Sequence, residues 1–313
     1  MTLQNPSDCV QRRENSLSSA KFVLFSERLV SARIQKHSVW KSMYPFAFEE
    51  FLWATGTYEE TISNDIHACV KLQRNILRLY RNDITRYAES KEAHKIREIF
   101  DLIPSQLDAK NNRFKVSSLS RTARYSNFES DFLWLNEAGI TLPCYNCSAP
   151  VLPLDLKIKR SQFKLYLCDT GLLCAMYMVN IQFDLLQGDL HLKHDSILQN
   201  IFAQELASKN LPLVYYSQKK FGELNFVVQN GRELQIFEIK SGNDFRRHAA
   251  LSKAIENKEW HLNQNSVFSK SNLFSEGAIL YCPLYMIAFY EPAALPLLFG
   301  INDLRFLLPS NQQ

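Results

Sequence analysis

Glycine is scarce in this chain of 313 residues: there are nine, at positions 56, 139, 171, 188, 222, 231, 242, 277 and 300, and none is followed by lysine. No G-x-x-x-x-G-K-[ST] segment exists, so the cradle of backbone amides and the lysine that hold nucleotide phosphates are missing. ATP is not expected as a cofactor, and ATP hydrolysis by this polypeptide alone is not expected. Long apolar runs are lacking as well, since none approaches the length of a membrane span. The N-terminus lacks the basic-then-apolar order of a signal peptide. A cytoplasmic chain without membrane contact is the expectation. The excess of one charge is small, +4 from 36 Lys and Arg against 32 Asp and Glu, so bulk charge does not argue for nucleic acid. Among seven cysteines, Cys144-x-x-Cys147 is the one close pair, with no second Cys or His pair at zinc-finger spacing nearby. Reduced thiols are expected. Cys168, Cys174 and Cys282 stand in apolar surroundings and read as small core residues, while Cys9 and Cys69 carry no argument.

What the chain does have is apolar mass, 46% of its residues, enough for the cores of two or three compact units. Its most informative stretch is GELNFVVQNGRELQIFEIKSG, residues 222–242. Asn230-Gly231 reads as the two-residue turn of a β-hairpin. That turn sets Glu223 opposite Glu238, Leu224 opposite Phe237 and Asn225 opposite Ile236. Side chains alternate, so Glu223, Asn225, Glu238 and Lys240 share one face, and Leu224, Phe226, Phe237 and Ile239 share the face a core would want. Two carboxylates placed opposite repel unless a cation, Lys240 or a hard metal, lies between them. The plain alternative is an edge hairpin with solvated charges.

Asn225, Glu238 and Lys240 form an acid-x(12)-Glu-x-Lys layout with an amide in the acid's place. This resembles the PD-(D/E)XK nuclease core, in which an Asp and the Glu hold a divalent ion and the Lys positions and activates water. The resemblance implies catalytic roles for Glu238, Lys240 and Asn225, and a weakly held Mg²⁺ with Glu223, Glu238 and Asn225 as ligands. Mg²⁺ wants oxygen ligands including carboxylates, and Asn225 brings an oxygen without the charge.

A longer succession surrounds the hairpin: MYPFAFEEFLWATG (43–56), LYRNDITRYA (79–88), IPSQLDAKNNRFK (103–115), FLWLNEAGI (132–140), FKLYLCDTGLL (163–173), ILQNIFAQEL (197–206) and GAILYCPLYM (277–286). This order resembles prokaryotic AAA-type ATPases. Their C-terminal half, long described as a domain of unknown function, is similar to a winged helix followed by a PD-(D/E)XK-like fold. The chain departs from that pattern in four places. The P-loop is absent, the strand KFVLFSERL (21–29) lacks its glycine turn, and the connection from Thr57 to Lys71 is short. Gln199-Asn200 stands where a Glu usually precedes the Asn. The resemblance therefore implies a shortened member that has lost its motor.

The expected organisation has four parts. Residues 1–69 are an ATPase remnant with the strand FVLF (22–25) and an aromatic block at 46–53, a surface for self-association or a protein partner. Residues 70–153 are helical and winged-helix-like. Residues 154–292 form a mixed-sheet PD-(D/E)XK-like domain, and 293–313 a tail, making the chain α/β, or α+β overall. In the middle unit Ile96, Ile99, Phe100 and Ile103 repeat helically until Pro104 ends the run. Ser117–Tyr125 is expected to be a helix with Arg121 and Arg124 outward, to grip nucleic acid or to pair with Glu129 and Asp131. In the last unit Asp169 reads as a helix cap, residues 195–208 as an amphipathic helix and LVYYS (213–217) as a strand. Basic clusters at Lys157, Lys159, Arg160 and Lys164, at Lys219-Lys220, and at Arg246-Arg247-His248 are either solvated faces or phosphate contacts. Two functions follow: a Mg-dependent phosphodiesterase acting on DNA or RNA, and a non-catalytic or weakly active nuclease-like module that contacts nucleic acid or protein. The amides at 199 and 225 favour the second.

Overall fold

The computed structural model describes residues 66–88, 90–109, 111–177, 195–262 and 264–293. The strand at 22–25, the aromatic block at 46–53, Cys9 and the C-terminal tail beyond 293 lie outside the described residues. Helices and mixed sheets alternate, an α+β chain as expected. Among the described residues no helix is long and apolar enough to cross a membrane.

Helices α1 (Ile66–Tyr87) and α2 (Ser90–Leu107) pack against each other. The apolar repeat of α2 places Ile96, Ile99, Phe100, Ile103 and Leu107 in the core. Pro104 does not end this helix: the buried stripe continues to Leu107, and the chain stays helical through the proline. The burial of Leu107 outweighs the one backbone donor that proline lacks.

Residues 117–125 do not form the expected helix. Short 3₁₀ turns at Val116–Ser118 and Tyr125–Asn127 bracket this stretch, and the next helix, α3, starts at Glu129 and ends at Glu137. The cause is competition for the backbone. Gln106 of α2 accepts the Lys115 N–H at 2.9 Å and donates to the Ser118 hydroxyl at 3.1 Å, while Phe114 N–H donates to the Phe163 carbonyl at 2.9 Å. Serine-rich segments yield readily to such local alternatives. Arg121 and Arg124 therefore lie on an exposed turn, and no recognition helix carries them. The pairing with Asp131 is not made either, because that carboxyl is buried without a hydrogen-bond partner.

Strand β1 (Thr141–Cys147) pairs antiparallel with β2 (Ile158–Leu167), so residues on both sides of position 153 share one sheet. Phe114, Phe132 and Phe163 interlock beneath it, with ring centroids 4.8–5.9 Å apart. Asp169 caps α4 (Thr170–Met176) by accepting the Leu172 N–H at 2.9 Å. Helix α5 (Asp195–Ser208) follows the expected span, with Ile197, Phe202 and Leu206 buried and Leu198 and Ile201 half-buried. It is pinned to the end of β2. Asn200 accepts the Leu167 N–H at 2.8 Å and donates to the Leu167 carbonyl at 3.0 Å, and Gln204 accepts from the Thr170 N–H and hydroxyl.

A meander follows: β3 (Val214–Gln218), β4 (Gly222–Leu224), β5 (Phe226–Asn230) and β6 (Glu233–Ile239). After it come α6 (Ala249–Glu256), β7 (Gln264–Ser269), β8 (Phe274–Glu276) and β9 (Ile279–Pro283). One sheet has the order β2-β1-β3-β4 and the other β5-β6-β7-β9-β8. Strands β6, β7 and β9 run parallel, with α6 in the crossover between β6 and β7. Phe202 of α5 meets Phe268 of the second sheet with centroids 4.9 Å apart, while Leu251, Ala254 and Trp260 cover its other face. Cys168, Cys174 and Cys282 are free, buried thiols, as expected of core residues, and Cys144 and Cys147, free as expected, are buried as well, in β1. Burial pushes the Cys147 thiol up to about 12.

The buried Asp131 yields a pH prediction. Burial pushes its carboxyl above the ordinary value, with Lys95 pulling in the opposite direction. A carboxyl raised in the folded state adds stability that is fully present below its unfolded value and is lost as pH rises through the folded one. Asp131→Asn should flatten that decline between acid and neutral pH. Urea unfolding of both proteins across this range checks it, and parallel curves would refute it.

Candidate functional site

The hairpin forms, with its register moved by two residues. Phe226 pairs with Phe237 and Asn230 with Glu233, so the loop is Gly231-Arg232. Gly231 alone there has a positive φ, +63°. That matches a type II′ loop, which needs glycine at its first position, whereas the expected Asn-Gly turn needs positive φ at both. Continuing the register places Asn225 opposite Glu238. Glu223 is not opposite Glu238: it pairs with Ser217 of β3, in the other sheet.

Asn225 is the joint between the sheets. The strand that pairs with β3 ends at Leu224 and the one that pairs with β6 begins at Phe226. Side-chain alternation is reset at this point. Leu224 enters the core under α6, while Phe226 joins Phe237 and Ile239 in the core under α5, so the expected common apolar face is divided. At the bend the Asn225 Oδ1 accepts the Ile239 N–H at 2.9 Å, and the Asn225 N–H donates to Glu238 Oε2 at 3.4 Å. The amide thus replaces ladder rungs that the change of sheet interrupts.

Two adjacent clusters result. In the first, Lys240 Nζ lies 2.9 Å from Glu238 Oε1. Burial pushes the Glu238 carboxyl up, against the pull of Lys240 and the Asn225 N–H. In the second, the Lys164 Nζ lies 2.6 Å from Glu223 Oε1 and donates to Gln199 Oε1 at 3.0 Å. Tyr166 also donates to Gln199 Oε1, at 2.9 Å, and the ammonium sits 5.0 Å from the centre of the Tyr215 ring. Lys164 is fully buried, Gln199 and Tyr166 are buried, and the Glu223 side chain is 28% exposed. Lys164 thus departs from its expected place in a solvated basic cluster. Sequence reasoning missed it and both tyrosines. The available signal was a lysine inside FKLYL, a strand segment whose every neighbour is apolar or aromatic and buried.

The three groups expected to approach an ion are Glu223, Asn225 and Glu238, and Gln199 stands beside Glu223. Each already has an oxygen facing a protein donor. Two ammonium groups stand against the two carboxylates, so the charge of this region is balanced within the protein. Among the described residues no three His, Cys, Asp or Glu side chains converge as a metal-holding group, at Cys144 and Cys147 included. A donor set of two compensated carboxylates and two engaged amides does not suit Mg²⁺, which relies on uncompensated carboxylate oxygens. Glu205 lies apart, with Lys209 Nζ at 3.5 Å from its Oε2.

Lys219 and Lys220 occupy the exposed turn between β3 and β4. Exposed Lys253 of α6 reaches the same turn, donating to the Phe221 carbonyl at 3.5 Å. Gln218 beside it donates to the Ser148 carbonyl at 3.4 Å, and the Ser148 N–H donates to the Lys157 carbonyl at 2.8 Å. Lysines from three segments therefore line one end of the first sheet.

A family model for a domain of unknown function (DUF8612) matches residues 50–182. The match includes Lys164 and Tyr166 and ends before Gln199. No curated protein and no solved structure matches the chain.

Removing the joint should be costly. Asn225→Ala leaves the buried Ile239 N–H without its acceptor and should lower stability by about 1–3 kcal/mol. Asn225→Asp keeps an acceptor, adds a second carboxylate beside Glu238, and should lose less. Urea midpoints give the order wild type, Asp, Ala; an Ala variant as stable as wild type would refute the role.

Proposed function

We propose that this chain is a non-catalytic, nuclease-like module that binds nucleic acid through the lysines at the end of its first sheet. The observation that carries the reading is the internal charge balance: Lys164 and Lys240 are committed to Glu223 and Glu238, and Asn225 is committed to a backbone amide. A phosphodiesterase of the kind implied by the Asn225, Glu238 and Lys240 layout needs those oxygens for an ion and that lysine for water. The order α5, β3, β4–β5, β6, α6, β7, a meander followed by a crossover to a parallel strand, supports the nuclease-like part of the reading. The order of sequence blocks that resembles the C-terminal half of prokaryotic AAA-type ATPases fits the same reading.

Lys219 and Lys220 on the β3–β4 turn and Lys253 on α6 are exposed, which suits phosphate oxygens spaced along a strand. Arg121 and Arg124, on their own exposed turn, would add phosphate contacts and no base reading from a groove-bound helix. Binding of this kind depends on salt and is indifferent to sequence.

Fluorescence anisotropy with labelled single- and double-stranded DNA and RNA, titrated with salt in EDTA, tests the proposal. The Lys219→Ala/Lys220→Ala protein should bind every sequence more weakly, and the slope of log affinity against log salt should shrink by roughly 0.7–0.9 for each phosphate that is no longer neutralised. No binding at low salt, with a protein captured in its place, would overturn the nucleic-acid assignment. Mg²⁺- or Mn²⁺-dependent cleavage that disappears in both Glu238→Ala and Lys240→Ala would overturn the non-catalytic one.

A further inference from the structure

We infer that the Lys164 ammonium is the resident cation of the cluster beneath α5, occupying the oxygens of Glu223 and Gln199, and that Lys164 rather than Asn225 keeps a divalent ion from Glu223. The inference rests on the nuclease-like part of the proposed function.

A lysine in the middle of a strand with no exposed surface is rare, because an ammonium stripped of water must find its partners inside the protein. Lys164 has them in three directions. Glu223 Oε1 lies 2.6 Å away, Gln199 Oε1 lies 3.0 Å away, and the face of Tyr215 lies 5.0 Å below. An ammonium has three donors and no acceptor, so a carboxylate, an amide oxygen and a ring face satisfy it as they would satisfy a small cation. The elements that hold it are rigid ones. Lys164 sits opposite Cys144 in the β1–β2 ladder, and Asn200 and Gln204 anchor α5, and with it Gln199, to the end of β2.

The residue types around the pocket agree with this. A glutamate at 199 beside Glu223 would leave one negative charge uncompensated by Lys164, whereas Gln199 leaves the pair balanced. Tyr166 adds a second donor to the same Gln199 oxygen, which an ion would have to displace together with the ammonium. Asn225 lies in the neighbouring cluster, where its oxygen serves Ile239. Converting it to aspartate adds a carboxylate and leaves the resident cation in place.

Mn²⁺ binding to the full chain, read from the free-ion signal in electron paramagnetic resonance and from the shift in melting temperature, tests the inference without any activity assay. Wild type and Asn225→Asp should both leave Mn²⁺ free. Lys164→Ala should take it up, with affinity on the order of tenfold or more above wild type, because Glu223 then lacks its counter-charge. Lys164→Ala/Glu223→Ala should lose that gain. A folded Lys164→Ala with no gain would overturn the inference. So would Glu223-dependent Mn²⁺ binding by wild type or by Asn225→Asp, and this second arm decides the matter if Lys164→Ala does not fold. Nucleic-acid binding is measured in EDTA, so its failure is read separately from failure here.

Discussion

Between Leu224 and Phe226 one strand leaves the four-stranded sheet and enters the five-stranded one, and the backbone groups freed by that change need partners in a dry interior. Asn225 supplies them, with its side chain receiving Ile239 and its own N–H reaching Glu238. The joint places the cluster around Glu238 beside the one around Glu223, and it lets α5 pack across both sheets while α6 covers the far side of the second. An asparagine here does architectural work that an aspartate could also do in part. An amide in place of a carboxylate at this position is therefore compatible with full retention of the fold.

Charge balance is the second organising theme. Burying a carboxylate is costly unless it is paired, and Glu238 and the half-buried Glu223 are each paired with a different lysine, Lys240 just past β6 and Lys164 on β2. The arrangement ties β2 to β4 and closes the end of β6 on itself. It also divides the labour between surfaces: ammonium groups inside the protein neutralise the site, while those at the β3–β4 turn remain free to meet an anionic partner.

Much of the fold was legible because local chemistry and long-range packing agreed. The periodicity of 195–208, the apolar run at 213–217, the Asp169 cap and the core cysteines all stand as the residues imply. Disagreement arose where a distant group intervened. Gln106 captures the backbone near Lys115 and turns a serine-rich segment away from helix. The Asn230-Gly231 signal is real, yet pairing of β5 with β6 moved the loop one residue along, and within those two strands a slip of two in register kept the facing while changing every partner. Of the candidate site, the convergence of Asn225, Glu238 and Lys240 was legible from spacing. The position of Glu223 was not, because it depends on a change of sheet that no alternation pattern announces. Lys164 was hidden in plain view: grouped by sequence with Lys157, Lys159 and Arg160, it belongs by burial with Phe163 and Leu165.

The five buried thiols have a consequence of their own. They are spread over β1, the β2–α4 turn, α4 and β9, so they sit in layers that are covered by different elements. A thiol that is protonated and sealed reacts with an alkylating reagent only when the element above it lifts away. The chain therefore carries native reporters of its own local openings, and the order in which its cysteines become modified would chart which layer of the molecule breathes first.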